Sequence, residues 1–346
     1  MAYASISKPG LHFNTKLYTG NATDDTAITG VGFQPDLCWF KVRSQSYSHN
    51  LQDAVRGAGK RLEPDQTTAE STYTSFKSFD TDGFTLGTGA ALNGNGDTFV
   101  SWNWKAANSS GSSNTDGNIT STVSANTTAG FSIVSYTGNA TSGATIGHGL
   151  GAVPKWIFTK NRDEGGGNQD WCVYHVSIGA NKAMFLNLQN SPDTNAKYFN
   201  DTTPTSSVFT VGDNLGTNGS GDNMIAYCFA EKTGYSKFGS YTGNNNADGT
   251  FVYTGFAPSF VIIKRNASGY NWYMFDKKRD TQNTSSDKKD LDANNNSVEA
   301  TDRAFDWLSN GIKFRDNNGG TNASDEYIYM AFAEEPLVAN VGQSIP

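Results

Sequence analysis

The side chains that most often carry catalysis are few in this sequence and follow no catalytic spacing. It has four histidines, His12, His49, His148 and His175, and none recurs at an equivalent point of the repeat described below. The sequence lacks a Gly-x-Ser-x-Gly elbow, a His-Glu-x-x-His pair and a Walker loop. We therefore predict that the chain is not an enzyme and needs no cofactor.

Acidic residues in glycine-containing turns are the other candidates for chemistry. The runs Asp-Thr-Asp-Gly at 80–83 and Asp-Glu-Gly at 163–165 leave weak calcium binding open. Neither continues into the twelve-residue calcium loop with its terminal glutamate, so no metal site is predicted. A pair of carboxylates for glycoside hydrolysis stays open as well, because their separation in space is not visible in a sequence.

Aromatic residues beside amide and acidic side chains are the candidate binding residues. Rings offer a flat apolar face to a sugar, and amides hydrogen-bond to its hydroxyls. The candidates for contact with a glycan or a partner are Tyr47, His49, Trp171, Tyr270 and Trp272. The competing interpretation is that Trp171 and Trp272 fill the sandwich core.

The elements that must position these residues occur three times. The run Tyr-Thr-Gly-Asn begins at 18, 136 and 241; a proline follows at 35, 154 and 258, and a lysine at 41, 160 and 264. A late turn rich in Asn and Gly is matched at 93–97, 218–222 and 317–320. Arginines lie near the lysines, and one expectation is that both pair with acidic groups of a neighbouring module: Arg43, Arg162 and Arg265.

Short strand-like runs separated by Gly and Asn turns predict an all-β protein of three tandem antiparallel β-sandwich, jelly-roll-like domains. The predicted modules are residues 1–105, 131–233 and 234–335. Residues 106–130 are rich in Ser, Thr, Asn and Gly and are predicted to be a linker that acts as a flexible hinge. Residues 336–346 are the predicted C-terminal tail.

Composition excludes several classes of partner. The formal net charge is −7, which makes nucleic acid an improbable partner. No stretch of 18 apolar residues predicts membrane insertion, and no signal peptide is recognised. The odd number of cysteines, Cys38, Cys172 and Cys228, predicts buried free thiols and synthesis in a reducing cytoplasm.

Several runs in module one resemble a module of structural proteins from marine tailed bacteriophages. They are Phe-Gln-Pro-Asp-Leu-Cys-Trp-Phe-Lys at 33–41, Tyr-Ser-His-Asn-Leu-Gln-Asp at 47–53, Arg-Gly-Ala-Gly-Lys at 56–60, Asp-Gly-Phe at 82–84 and Trp-Asn-Trp-Lys at 102–105. Proteins with this module are described as tail-fibre-like or minor virion proteins. The resemblance is looser in modules two and three, which lack the Tyr-Ser-His-Asn run. It implies a virion component and carries over no catalytic residue.

The predicted function is a virion structural protein, a tail fibre or tail appendage that contributes to host attachment. The alternatives are a capsid decoration protein and a tail-spike glycan hydrolase. Expected partners are other virion proteins, further copies of the chain in a homo-oligomer with a trimer favoured, and a host surface glycan. The expected location is the virion, after synthesis in the host cytoplasm.

Overall fold

The described part of the chain is an all-β fold whose strands pair into antiparallel sheets, as the sequence predicts for the fold class. A computed structural model describes residues 4–167, 169–280, 283 and 288–336. Within this part of the chain, no helix is long and apolar enough to cross a lipid bilayer. Of the predicted C-terminal tail, only Pro336 is described, and 337–346 lie outside the described residues.

Module one has a larger sheet, a smaller sheet and a short ribbon. Its described elements are a 3₁₀ turn (Pro9–Leu11), the helix α1 (Ala90–Asn93) and the strands β1 (Phe13–Thr19), β2 (Thr26–Thr29), β3 (Leu37–Val42), β4 (Asn50–Asp53), β5 (Lys60–Arg61), β6 (Ser71–Thr72), β7 (Phe76–Asp80), β8 (Gly83–Leu86) and β9 (Thr98–Trp104). The larger sheet has the order β1-β9-β3-β4, the smaller one β2-β8-β7, and the ribbon β5-β6.

Module two repeats this arrangement with a wider sheet. Its described elements are the helix α2 (Leu215–Asn218) and the strands β10 (Ser112–Asn114), β11 (Ser121–Asn126), β12 (Phe131–Thr137), β13 (Ala144–Gly147), β14 (Trp156–Asn161), β15 (Cys172–His175), β16 (Lys182–Phe185), β17 (Asp193–Thr194), β18 (Val208–Val211) and β19 (Asn223–Phe229). The larger sheet has the order β10-β11-β12-β19-β14-β15-β16-β17, and β13 pairs with β18.

Module three again has a larger and a smaller sheet. Its described strands are β20 (Ser236–Thr242), β21 (Phe251–Tyr253), β22 (Phe256–Arg265), β23 (Trp272–Asp276), β24 (Lys288–Asp292), β25 (Ala300–Arg303), β26 (Phe305–Leu308), β27 (Gly311–Phe314) and β28 (Glu326–Pro336). The orders are β20-β28-β22-β23-β24-β25 and β21-β27-β26. The series β1-β9-β3-β4, β12-β19-β14-β15 and β20-β28-β22-β23 are therefore equivalent.

The repeated Tyr-Thr-Gly-Asn run anchors the first strand of each module to the late turn. The tyrosine hydroxyls donate to backbone carbonyls, Tyr18 to Leu92 at 2.8 Å, Tyr136 to Thr217 at 2.6 Å and Tyr241 to Thr321 at 2.6 Å. The glycine is required by close approach: a Cβ at Gly20, Gly138 or Gly243 would lie 2.2, 2.1 or 2.1 Å from a backbone oxygen. The run recurs because every copy makes the same contact.

The third copy of the late turn lies five residues beyond its predicted position. In modules one and two the backbone N–H groups of the repeated asparagines, Asn21 and Asn139, donate to the Oδ1 atoms of Asn93 and Asn218. In module three the acceptor of the equivalent bond is Asn322. The predicted match at 317–320 was wrong because it was chosen for its Asn and Gly content, whereas the asparagine that accepts the equivalent hydrogen bond is Asn322.

The segment 106–130 is part of the second sheet, so the prediction of a flexible hinge is wrong. Strand β11 pairs with β12 along its whole length, and β10 pairs with β11. Val123 and Ile119 are buried, and the backbone N–H of Ala107 donates to Ser124 Oγ at 3.1 Å. Strand pairing uses backbone groups, which a Ser- and Thr-rich segment supplies as well as any other.

The central strands of the larger sheets are buried on both faces. Every residue of β3 is buried, for example, although β3 belongs to an antiparallel sheet. One face of each sheet covers a core within its own module, and the opposite face joins one cluster to which all three modules contribute. The three segments thus share an inner core, and the number of independently folding domains stays a prediction.

Candidate functional site

The inner core closes around three equivalent aromatic rings. Each module provides one ring from its last strand: Trp104 in β9, Phe229 in β19 and Phe332 in β28. Their ring centroids are 6.3, 5.8 and 6.1 Å apart, so each ring contacts the other two. Because the three distances are nearly equal, a pseudo-three-fold axis passes between the rings. Equivalent residues of the three modules therefore meet at the module interfaces.

A second set of equivalent residues connects neighbouring modules in cyclic order. Each module has one such residue at the start of, or just before, the strand that follows the repeated lysine strand. The three residues are His49, Trp171 and Trp272. Trp171 Nε1 donates to the carbonyl of Glu63 in module one at 3.0 Å, and Trp272 Nε1 donates to that of Phe185 in module two at 2.9 Å. His49 Nε2 completes the cycle by donating to the carbonyl of Asp292 in module three at 3.0 Å.

These three residues were predicted to contact a glycan or a partner, and that prediction is wrong. Their exposed fractions are 0 % for His49, 1 % for Trp171 and 0 % for Trp272, so a sugar ring cannot reach them. The competing interpretation, that the tryptophans fill the sandwich core, is correct in that both are buried, but they belong to the inner core that the three modules share. The remaining candidates occupy equivalent positions in different modules: Tyr47 is 40 % exposed, and Tyr270 is half-buried under the guanidinium of Arg265 at 4.2 Å.

The repeated lysines are buried and bind backbone carbonyls. Lys41 Nζ donates to the carbonyls of Val42 and Gln45, and Lys264 Nζ donates to those of Arg265 and Ala267. Lys160 Nζ donates to Gln169 and, across an interface, to Thr67 of module one. Burial lowers the pKa of each lysine to about 8. The expected pairing of these lysines with acidic groups of another module is therefore wrong.

The arginines meet that expectation at two interfaces. Arg162 of module two forms a two-bond pair with Glu70 of module one, at 2.9 and 3.1 Å. Arg43 of module one forms the same pair with Glu299 of module three, at 2.7 and 2.8 Å. In both pairs the glutamate N–H also donates to the carbonyl of the arginine. Arg265 instead pairs with Asp325 in its own module.

The Glu70 pair belongs to a buried network at the interface of modules one and two. The side chains of Asp53 and Arg56 are fully buried and paired, and Arg56 also contacts Glu70 at 3.1 Å. Tyr227 of module two donates its hydroxyl to Asp53 at 2.6 Å. Every charge therefore has an opposite partner, which is what makes a buried ion network tolerable.

The Glu299 pair belongs to an equivalent network at the interface of modules three and one. Arg279 pairs with Asp276 at 2.5 Å and contacts Glu299 at 3.3 Å. Trp102 of module one donates its indole N–H to Asp276 at 3.0 Å, in the place of Tyr227. Neither network was predicted from the sequence. The signal was present, because Asp-x-x-Arg occurs at 53–56 and 276–279 and is absent from the matching place in module two.

The interface of modules two and three has neutral residues at these positions. Ile178 replaces the buried arginine, Pro192 the glutamate and Asn266 the arginine from the neighbouring module. Proline has no N–H and cannot reproduce the backbone bond either. In place of the network lies a pocket of about 300 Å³, which these three residues line together with Ser177, Lys182, Ser191, Thr194 and Glu326.

Burial shifts the pKa of two histidines and of all three cysteines. Burial lowers the pKa of His49 to about 4 and that of His175 to about 3, so both are neutral at neutral pH. The prediction of buried free cysteines is confirmed, and burial raises the pKa of all three thiols. Within the described ranges, no cluster of His, Cys, Asp and Glu is arranged to hold a metal ion.

Two buried carboxyls have a raised pKa but no access for a substrate. Burial raises the pKa of Asp36 to about 6 and that of Asp290 to about 7. Asp36 is fully buried and accepts hydrogen bonds from the backbone of Ala106 and Asn108, while Asp290 is 2 % exposed and paired with Arg303. Both carboxyls therefore support the fold.

Comparison with known proteins gives one match. The model of a family described as a domain of unknown function (DUF7483) matches residues 8–336. No curated protein and no solved structure matches the chain.

Proposed function

The chain belongs to the family of DUF7483 domains, and from its own geometry we propose that it is a virion structural protein of a tailed phage. Its place is a tail fibre or tail appendage that contributes to host attachment. The resemblance of the runs at 33–41, 47–53 and 102–105 to tail-fibre-like proteins supports the phage assignment. The closed arrangement of the modules supports the structural role.

The observation that carries the proposal is the contact among Trp104, Phe229 and Phe332. Three modules that share one aromatic centre form a rigid block, because a movement of one module would separate rings that belong to the other two. Two interfaces add buried ion networks with every charge paired. Such a block transmits force well, as a spacer in a fibre requires.

The pseudo-three-fold axis also bears on assembly. Fibres and spikes are commonly organised around three-fold axes, where three copies of one chain meet. Here a single chain provides three equivalent modules, so one copy matches the symmetry of such an axis. A homotrimer of the chain remains the alternative arrangement, and the molar mass in solution distinguishes the two.

A capsid decoration protein is the second proposal of the structural class, since a rigid pseudo-symmetric block suits a site on a capsid as well. The test is electron microscopy of intact particles labelled with antibody raised against the full chain. Label on the tail supports the proposed role. Label confined to the head transfers the chain to the decoration class, and particles without label overturn the virion assignment.

A tail-spike glycan hydrolase remains the alternative from the enzyme class. Incubation of the purified chain with host surface polysaccharide tests it, with release of reducing ends as the measurement. Release would overturn the proposal of a non-catalytic role. We expect none, because the carboxyls with the most strongly raised pKa, Asp36 and Asp290, are buried.

A further inference from the structure

We propose that the pocket between modules two and three binds one neutral sugar residue. The proposal starts from a difference among equivalent positions. At two interfaces Glu70 and Glu299 fill this place with a charged side chain that pairs with the neighbouring module. At the third, Pro192 stands at the position of the glutamate and leaves a pocket of about 300 Å³. That volume lies at the low end of ligand pockets, roughly 300–1,000 Å³, and suits a single ring.

The charges of the lining favour a neutral ligand. The positions that carry arginine and glutamate elsewhere are Ile178, Pro192 and Asn266 here, and none has a charge. The remaining charged residues of the lining, Lys182 and Glu326, have opposite signs. An anion or cation that entered would give up water without meeting an excess of the opposite charge, which costs free energy.

The polar groups of the lining match a sugar. Hydroxyls both donate and accept hydrogen bonds, and the lining presents those of Ser177, Ser191 and Thr194. Ile178 and Pro192 add apolar surface for the C–H groups of a ring. Asn266 adds an amide to the polar part of the lining.

This inference deepens the proposed attachment role and rests on it for the biological source of the sugar. The two can fail separately. The location of the chain in a particle is measured by labelling, whereas the pocket is tested on the purified full chain.

The experiment is saturation-transfer NMR of the full chain with the methyl glycosides of glucose, galactose, mannose and N-acetylglucosamine, and with acetate and inorganic phosphate. Three variants accompany the wild type. The double variant Pro192→Glu, Asn266→Arg rebuilds the ion pair of the other interfaces inside the pocket. Thr194→Val removes one hydroxyl of the lining, and Thr72→Val makes the same change at the equivalent position of module one.

We expect at least one glycoside to give a signal with the wild type and none to do so with the double variant. Thr194→Val should bind that glycoside about 5–10-fold more weakly, the loss of one ordinary hydrogen bond, and Thr72→Val should bind as the wild type does. The proposal is overturned if no glycoside binds the wild type or if only acetate or phosphate binds. It is also overturned if the double variant, shown to be folded by its thermal transition, still binds. Should the double variant not fold, equal affinities of Thr194→Val and Thr72→Val overturn it.

Discussion

Trp171 donates its indole N–H to the carbonyl of Glu63, 108 residues earlier in the chain, at 3.0 Å. The bond crosses from module two to module one, and Trp272 makes the equivalent bond from module three to module two. A residue type that suggests a sugar-binding surface in the sequence thus acts as a connection between modules. The reason is burial: a ring with a single N–H donor is stable inside a core when that donor reaches a carbonyl.

Replacement of Trp171 by Phe should destabilise the chain by more than the change in ring size alone. Trp171→Phe removes the hydrogen bond to the carbonyl of Glu63, which keeps only the bond from the backbone N–H of Gln66, and the net loss of one hydrogen bond costs about 0.5–1.5 kcal/mol. Urea denaturation measures the free energy of unfolding. The matched control is Trp156→Phe, because the indole N–H of Trp156 is buried without a partner among the described residues. Equal losses in the two variants would contradict the assigned role of the bond.

The sequence predicted the parts of the fold that depend on local pattern. The run at 37–42 is one strand in the structure, since Pro35 lies two residues before it and all its residues except Lys41 are apolar. The association of modules was not predicted. Trp39 and Trp102 lie in the inner core, but alternation along a strand does not tell which core each face joins. Here both faces are buried, one within the module and one between modules.

The interface networks were hidden for a different reason. Asp53 and Arg56 look like ordinary surface charges in a polar sequence, and their burial follows only from the neighbouring module. The same holds for Glu70, whose partner Arg162 is 92 residues away. Pairs at such separations have no local signature. Only the comparison between modules, with Asp-x-x-Arg kept in two of them, gives a trace of them in the sequence.

Truncation of the central ring should unfold all three modules together. Trp104→Ala removes a side chain that contacts both Phe229 and Phe332, and the loss of a buried aromatic ring costs about 3–5 kcal/mol. We expect calorimetry to give a single transition at lower temperature. A control is Tyr253→Ala, at a residue that is 56 % exposed, for which about 0.5 kcal/mol or less is expected. A transition that splits, with two modules keeping their original midpoint, would contradict the shared core.

Loss of Glu70 should destabilise the chain in a way that depends on pH. Burial tends to raise the pKa of this carboxyl, but its hydrogen bond with Arg162 and the charges of Arg56 and Arg162 outweigh burial and lower it below 4.5. The folded state therefore holds the ionised form more strongly than the unfolded state does. The resulting stability is complete above pH 4.5 and is lost as the pH falls through the lowered pKa.

Glu70→Gln should cost about 1–3 kcal/mol at neutral pH, because it leaves the guanidinium of Arg162 without its carboxylate, whereas Arg56 keeps Asp53. The difference from the wild type should shrink as the pH falls below 4.5, where the wild-type carboxyl becomes neutral as well. Urea denaturation across this range is the measurement. Glu299→Gln tests the equivalent network and should behave alike, since burial, Arg43 and Arg279 act on its pKa in the same directions. A difference that stays constant with pH would contradict the electrostatic account.

The buried lysines should make the chain more stable as the pH rises from 8 towards 9. Burial lowers the pKa of Lys160 to about 8, whereas the lysine of an unfolded chain titrates near 10.5. Above pH 8 the unfolded state therefore holds a proton that the folded state has lost, and the free energy of unfolding increases with pH. The gain is at most about 1.4 kcal/mol per pH unit for each such lysine.

The cysteines set the upper end of the pH range in which this gain can be measured. Their thiols have an ordinary pKa of 9.0 that burial raises in the fold, so from pH 9 upward they lower the free energy of unfolding as the pH rises.

Urea denaturation at pH 8 and at pH 9 should show a smaller gain in the free energy of unfolding for Lys160→Met than for the wild type. Lys8→Met, at an exposed residue, should keep the wild-type gain. Equal gains in the wild type and Lys160→Met would mean that Lys160 stays charged in the fold, held by the carbonyls of Gln169 and Thr67.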